Sequence, residues 1–332
     1  MAKSARSFLF LALASWLAAS LVPASATVKN SAPAKTSVAK KPTPTPKAAT
    51  PKPAPTPPKP PARTPAEMLA DGGLELAAAG AIVVDARTGL PLFEKNADAA
   101  QYPASTTKIM TALLILEAGE LDREVEVTEE DSKVGESGLS IKAGERYSRR
   151  QMLYGLMLKS ANDVAHSLGR DNAGTMPAFA EKMTARAREL GARDTLFRNP
   201  HGLHDVEHHT TPRDLALIAR AAMEQPHFRK LVTTLNYLWE RPDGPWKLDN
   251  HNRLLREFPG CTGVKTGFTR PAQQVLVSAA LAGDREVIAV VMHTNKPGIW
   301  DDSKLLLSYG LQYPPGTRPP KPRPPPPIFG GN

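Results

Sequence analysis

The chain has one cysteine, Cys261, so no disulfide can form within it, and its fold must rest on an apolar core. It contains no internal repeat, which sets aside solenoids and propellers. No acidic residue occurs before Glu67, although ten lysines and arginines do. The apolar stretch "FLFLALASWLAASLV" is short for a membrane span. Lys3 and Arg6 precede it and the small-x-small sequence Ala24-Ser25-Ala26 follows, a pattern that predicts an export signal over residues 1–26 and a periplasmic or outer-envelope location. An uncleaved membrane anchor is the alternative.

What the sequence has in excess is proline, 33 residues, of which 21 crowd into 27–65 and the stretch from 314 to 332. Such segments cannot bury apolar surface and favour extended polyproline, so both are predicted to be disordered spacers. The formal net charge of +9 invites a nucleic-acid reading, but its location argues against one. Thirteen of the 42 lysines and arginines lie before Glu67 or in the tail, unaccompanied by acid, and the region between carries a slight acidic excess. A basic leash on a mildly acidic body suits weak contact with an anionic membrane or wall surface better than a DNA groove. The folded domain is then residues 66–313, with 41% hydrophobic content in the whole chain to supply a core.

Along that domain "GAIVVDARTGLPLFEKN" reads as two strands around a Thr88-Gly89 turn. A helix is predicted from about Ser105 to Gly119. "RRQMLYGLMLKSANDVAHSLGR" has helical spacing interrupted near Ser160, and "MPAFAEKMTARARELGA" and "TPRDLALIARAAME" are amphipathic helices, the second capped by Thr211 with Pro212 in its first turn. "GVKTGFT", "QQVLVSAALAG" and "REVIAVVMHT" read as consecutive strands, the last two joined at Gly283-Asp284, and "DSKLLLSYGL" as a closing helix. Sheet, helical block, sheet and helix in that order predict an α+β fold, an antiparallel sheet flanked by helices with an inserted helical subdomain.

Three short stretches carry chemistry. In "PASTTKIM", Ser105 and Lys108 are three residues apart at the start of an apolar helix, which puts the amine one turn from the hydroxyl. The same spacing at Ser37 and Lys40 lies in the proline-rich linker, where nothing holds a geometry. To act as a base Lys108 must lose its proton, and burial and a second cation both favour that. Lys265, on the strand "VKTGFT", is the candidate second cation; with the Thr266 hydroxyl it can hold a carboxylate, while Gly267 leaves room for another backbone. Ser160 and Asn162 at the helix break offer a hydroxyl to relay a proton and an amide to orient the lysine.

In this order "STTK", "SAN" and "KTG" are the signature of penicillin-binding proteins and serine β-lactamases. The surrounding text, with "NPHGLHD" and "HHTTPRDLALIARAAM", resembles the catalytic domain of the exported D-alanyl-D-alanine carboxypeptidases over almost the whole folded region. The resemblance implies a β-lactamase-like fold and a substrate that is a peptidoglycan stem peptide ending in D-Ala-D-Ala, with β-lactam antibiotics as inhibitors. It implies Ser105 as nucleophile, Lys108 as general base, Ser160 as proton shuttle and Asn162 as orienting amide. Lys265 and Thr266 would bind the carboxylate, and the backbone N–H groups of Ser105 and Phe268 would form the oxyanion hole. No cofactor and no metal are called for.

Where relatives tend to carry an arginine after the last strand, only Lys296 stands here, and Ala272-Gln273-Gln274 replaces the common Ala-Gly. A DD-endopeptidase that cuts crosslinks is therefore the alternative to a carboxypeptidase. A β-lactamase is disfavoured because no glutamate is followed four positions on by asparagine, and a non-catalytic wall-binding module because the motifs are intact. The loop "HGLHDVEHH" holds His201, His204, His208 and His209, but their spacing matches no compact zinc pattern, so it is read as a polar loop bordering the site. Cys261 is read as a packing residue.

Overall fold

A computed structural model describes residues 73–317. The expected leader, the 27–65 linker and the tail beyond 317 lie outside the described residues. A hairpin opens the region: β1 (Gly80–Asp85) pairs with β2 (Pro91–Lys95) around the expected turn, where Asp85 Oδ1 accepts the Thr88 N–H at 2.7 Å and Gly89 takes φ 74°. At the far end of the chain β7 (Cys261–Thr269), β8 (Gln273–Ala282) and β9 (Arg285–Thr294) form a meander. β1 pairs with β9, giving one antiparallel sheet of order β2-β1-β9-β8-β7. The α+β reading therefore holds, and β7, the strand of the third motif, is an edge strand.

The sheet is covered on both faces, which explains why "VIAVVM" shows no polar alternation. Ile288, Val290 and Met292 face the helical block, while Val287, Ala289 and Val291 pack with Ile299, Leu306, Leu307 and Tyr309 of the closing helix α9 (Gly298–Leu311). Between the two halves of the sheet the chain makes α1 (Lys108–Ala118), a ribbon of β3 (Glu124–Glu126) and β4 (Arg146–Ser148), and a single turn α2 (Glu129–Ser132). Then come α3 (Arg149–Leu158), α4 (Asn162–Ala173), α5 (Met176–Glu189), α6 (Pro212–Glu224) and α7 (Pro226–Thr233). A second ribbon, β5 (Asn236–Trp239) with β6 (Trp246–Asp249), and the turn α8 (Leu254–Glu257) lead back to the sheet. α1 is buried on all sides from Lys108 to Ile115, as a helix apolar all round should be. α6 starts as expected, with the Thr211 hydroxyl accepting the Asp214 N–H at 3.1 Å and Pro212 in the first turn.

One boundary differs from expectation. The helix predicted from Ser105 begins with a 3₁₀ turn, Ala104–Thr107, and becomes α-helical only at Lys108. Ala104 has φ 48°, so the chain enters the turn too sharply for α geometry, and the Thr106 amide and hydroxyl both donate to the Pro103 carbonyl. In a 3₁₀ turn residues three apart eclipse one another, which stacks Ser105 under Lys108.

Residues 314–317 form a turn tied to the domain. Arg285 and Asp85 make a buried ion pair, Arg285 Nη1 donates to the Pro314 carbonyl at 3.1 Å, and the Gly316 N–H donates to Asp85 Oδ2 at 2.9 Å. Cys261 packs in the cluster under α9, consistent with a packing role.

Candidate active site

Three elements converge on Lys108. The nucleophile candidate Ser105 is on the 3₁₀ turn, with its Oγ 3.1 Å from Lys108 Nζ. Lys108 Nζ also donates to Asn162 Oδ1 at 2.7 Å and to the backbone carbonyl of His201 at 2.6 Å. These two partners can only accept, so a neutral amine spends both its N–H bonds on them. Its lone pair is left to face Ser105 Oγ, the arrangement a general base needs.

The electrostatics favour that neutral form. Lys108 is fully buried. Desolvation, and then the charge of Lys265, push its pKa well below the ordinary 10.5, while the carboxylates of Asp163 and Glu136 offset this only in part. Lys265, also buried, is lowered to about 7 by desolvation, and its Nζ donates to the Thr266 carbonyl at 3.0 Å.

Asn162 opens α4 two residues after Ser160, which takes φ 62° and breaks the helical run where the sequence predicted. The Asn162 side-chain amide is fixed at both ends, its Oδ1 accepting from Lys108 and its Nδ2 donating to the Gly135 carbonyl at 3.1 Å, while its backbone N–H donates to the Ser137 carbonyl at 2.7 Å. Ser105, Ser160, Thr266, Gly267 and Phe268 line a single cavity of about 260 Å³, with Ser137 and His251 also on its wall. Larger cavities, of about 380 Å³ against α5 and about 500 Å³ near Glu136, hold neither Ser105 nor Ser160.

Two glycines let backbones close on the nucleophile turn. A Cβ on Gly267 would lie 2.9 Å from the Ser105 nitrogen and 3.1 Å from that of Thr106. Gly202, at φ 83°, would place one inside van der Waals contact of the Ala104 carbonyl oxygen. All eight residues singled out from sequence thus surround one cavity or its buried base.

The histidine loop packs against α1. Its Pro200 and His201 carbonyls accept from Thr111 Oγ1, at 2.6 Å, and from Lys108, two residues one turn apart on α1. His201 Nδ1 accepts the Leu203 N–H, and His208 Nδ1 accepts the Arg198 N–H. The other nitrogen of His208 is thereby the protonated one and donates to Thr107 Oγ1 at 2.9 Å. Burial lowers the His208 pKa to about 4, so it stays neutral. Among the described residues no group of three or more His, Cys, Asp or Glu side chains is placed to hold a metal ion.

Sequence reasoning missed the His201 carbonyl, since a backbone acceptor leaves no mark in residue type. It also missed His251, whose ring sits at the cavity mouth; partial burial and then Lys265 and Lys159 lower its pKa to about 4. Asp163 was passed over as well. Its carboxylate, buried behind Asn162, takes the backbone N–H groups of Leu139 and Val164 at 2.9 and 2.8 Å.

The sequence profile described as D-alanyl-D-alanine carboxypeptidase, peptidase family S11, matches residues 65–296. The chain is 35% identical over 228 residues to D-alanyl-D-alanine carboxypeptidase DacF of Bacillus subtilis, a match covering 66% of this chain and 58% of that protein. With DacB2 of Mycobacterium tuberculosis, another protein of that name, it shares 33% identity over 236 residues, 69% of this chain and 81% of the relative. Among solved structures it resembles the Streptomyces K15 DD-transpeptidase, with TM-score 0.69 at 32% identity over 72% of this chain and 99% of that one. With its three motifs assembled around one cavity, the chain belongs to the D-alanyl-D-alanine carboxypeptidase family of serine peptidases.

Proposed function

We propose that the protein removes the terminal D-alanine of peptidoglycan stem peptides through an acyl-enzyme on Ser105. The substrate lies extended along the free edge of β7. Its terminal carboxylate meets the Lys265 ammonium and Thr266 hydroxyl, and the carbonyl of the penultimate residue faces Ser105. Lys108 takes the Ser105 proton as Oγ attacks. The oxyanion is met by the N–H groups of Ser105 and Phe268. Ser160 passes a proton to the departing amine, D-alanine leaves, and water activated by Lys108 hydrolyses the ester. β-Lactams acylate the same hydroxyl.

The observation that carries this reading is the coordination of Lys108, whose two N–H bonds are committed to Asn162 Oδ1 and the His201 carbonyl with Ser105 Oγ left for the lone pair. The test is labelling by a fluorescent penicillin together with D-alanine release from a stem pentapeptide. Native protein is expected to do both and Ser105→Ala neither; D-alanine release by the Ser105→Ala variant would refute the assignment. A second outcome, transfer of the acyl group to an amine, is favoured by the likeness to the K15 enzyme named a DD-transpeptidase, and cleavage of a crosslinked dimer is the endopeptidase alternative. Product analysis with purified peptidoglycan separates the two.

The leader pattern supports export, and no helix among the described residues is long and apolar enough to cross a membrane. The basic 27–65 segment would keep the catalytic domain near an anionic membrane or wall surface.

A further inference from the structure

Lys159 precedes Ser160 and is bound into the cavity rim, since its carbonyl accepts the hydroxyl of Ser137 at 3.1 Å and Ser137 lines the cavity. The ammonium reaches the other way, to 5.5 Å from the ring centre of Trp246 on β6. Arg241 lies 5.6 Å from the same ring. The two cations differ in one respect. Arg241 is held in a bidentate pair with Asp243 and donates to the Leu139 carbonyl, so its charge is answered. Asp243 serves Lys142 as well, and Asp249 pairs with Lys247. Among the described residues no carboxylate lies within ion-pair distance of Lys159.

Trp246 is 38% exposed, so the ammonium rests on the open face of an aromatic ring. Lys159 is near the cleft, because His251 on the cavity wall feels the charges of both Lys265 and Lys159. A substrate whose terminal carboxylate takes Lys265 leaves Lys159 as a cation beside the rim without a carboxylate partner among the described residues. The rest of an extended peptide must leave the cavity past this rim.

From this geometry we infer that Lys159, held over Trp246, is a specificity-determining residue that recognises a carboxylate carried by the substrate upstream of the scissile bond. The inference rests on the DD-peptidase reading above. Trp246 acts as a positioning residue, keeping a flexible side chain extended through its ring face. Lysine rather than arginine suits a carboxylate whose approach direction varies between conformers, since an ammonium is a point charge with rotatable donors.

The test uses the full chain and two acylated peptides ending in D-Ala-D-Ala, identical except for glutamate or glutamine as the residue before that pair. Native protein is expected to favour the acid about two- to fivefold in kcat/KM, the scale of one partly exposed ion pair, with the preference shrinking in high salt. Lys159→Met is expected to bring the acid-to-amide ratio near one, whatever happens to both rates together. Lys159→Arg should keep most of the preference, and Trp246→Leu should lower it through KM rather than kcat. A native enzyme that does not distinguish the two peptides, or a Lys159→Met enzyme that keeps the native ratio, overturns the inference while leaving the peptidase reading intact. Absence of D-alanine release from either peptide sinks both.

Discussion

Gly267 of β7 stands against the main chain of Ser105, so close that an added methyl group would come within 2.9 Å of the Ser105 nitrogen. The strand of the third motif and the turn that carries Ser105 are therefore in backbone contact. Gly267→Ala must drive them apart, an overpacking cost of about 1–3 kcal/mol. If that cost falls on the reactive geometry, acylation slows roughly 10- to 100-fold. Acylation kinetics with a fluorescent penicillin, alongside a thermal melt to check folding, measure this. A folded variant that acylates at the native rate would contradict the contact.

The Asn162 amide oxygen is neutral, and its neutrality matters. Asn162→Asp puts a carboxylate against Lys108 Nζ, favouring the ammonium form and raising the Lys108 pKa. The base would then be available only at higher pH. Acylation near pH 7 is expected to drop about tenfold or more, one pKa unit being a factor of ten, and to recover as the pH rises. Asn162→Ala removes the acceptor without adding charge and should show no such recovery. The pH–rate profiles of the two variants check the sign.

Lys265 has a folded pKa of about 7 against an ordinary 10.5. Between these values the unfolded chain holds a proton that the folded chain lacks, so this residue makes stability rise with pH across that window. Below about pH 7 both states are charged and the full cost of burying the ammonium is present. Lys265→Met should therefore raise the melting temperature by some degrees at pH 6, and this gain should fade toward pH 10. Parallel melting curves of native and variant protein across that range would rule the shift out. The same titration bears on binding, since a carboxylate needs the ammonium. The KM for a D-Ala-D-Ala peptide is expected to climb above pH 7.

Much of the fold was readable because its signals are local. The Thr88-Gly89 turn, the Thr211-Pro212 helix start and the break at Ser160 each depend on residues within a few positions of one another. The ribbon Asn236–Trp239 with Trp246–Asp249 and the helix Pro226–Thr233 were not anticipated. The ribbon strands are four residues each and mixed in polarity, and the helix, although it buries Phe228, Leu231 and Val232 on one face, is only eight residues long, so neither pattern runs far enough to stand out. At the site, side-chain chemistry announced Ser105, Lys108, Asn162 and Lys265. What sets the state of Lys108 was less visible: a carbonyl from residue 201, the burial of a whole helix, and a second amine 157 positions along the chain. His208, read from sequence as part of a polar loop, fastens that loop to Thr107 and to the Arg198 amide.

Gly202 has no functional group, yet the loop it belongs to can reach the underside of the nucleophile turn only because that position is bare. Homologous chains that keep all three signatures but carry a bulkier residue there would be expected to have lost the seat for their serine. That one site is thus a cheap diagnostic for telling working copies from decayed ones in a genome, where the signatures alone would count both as active.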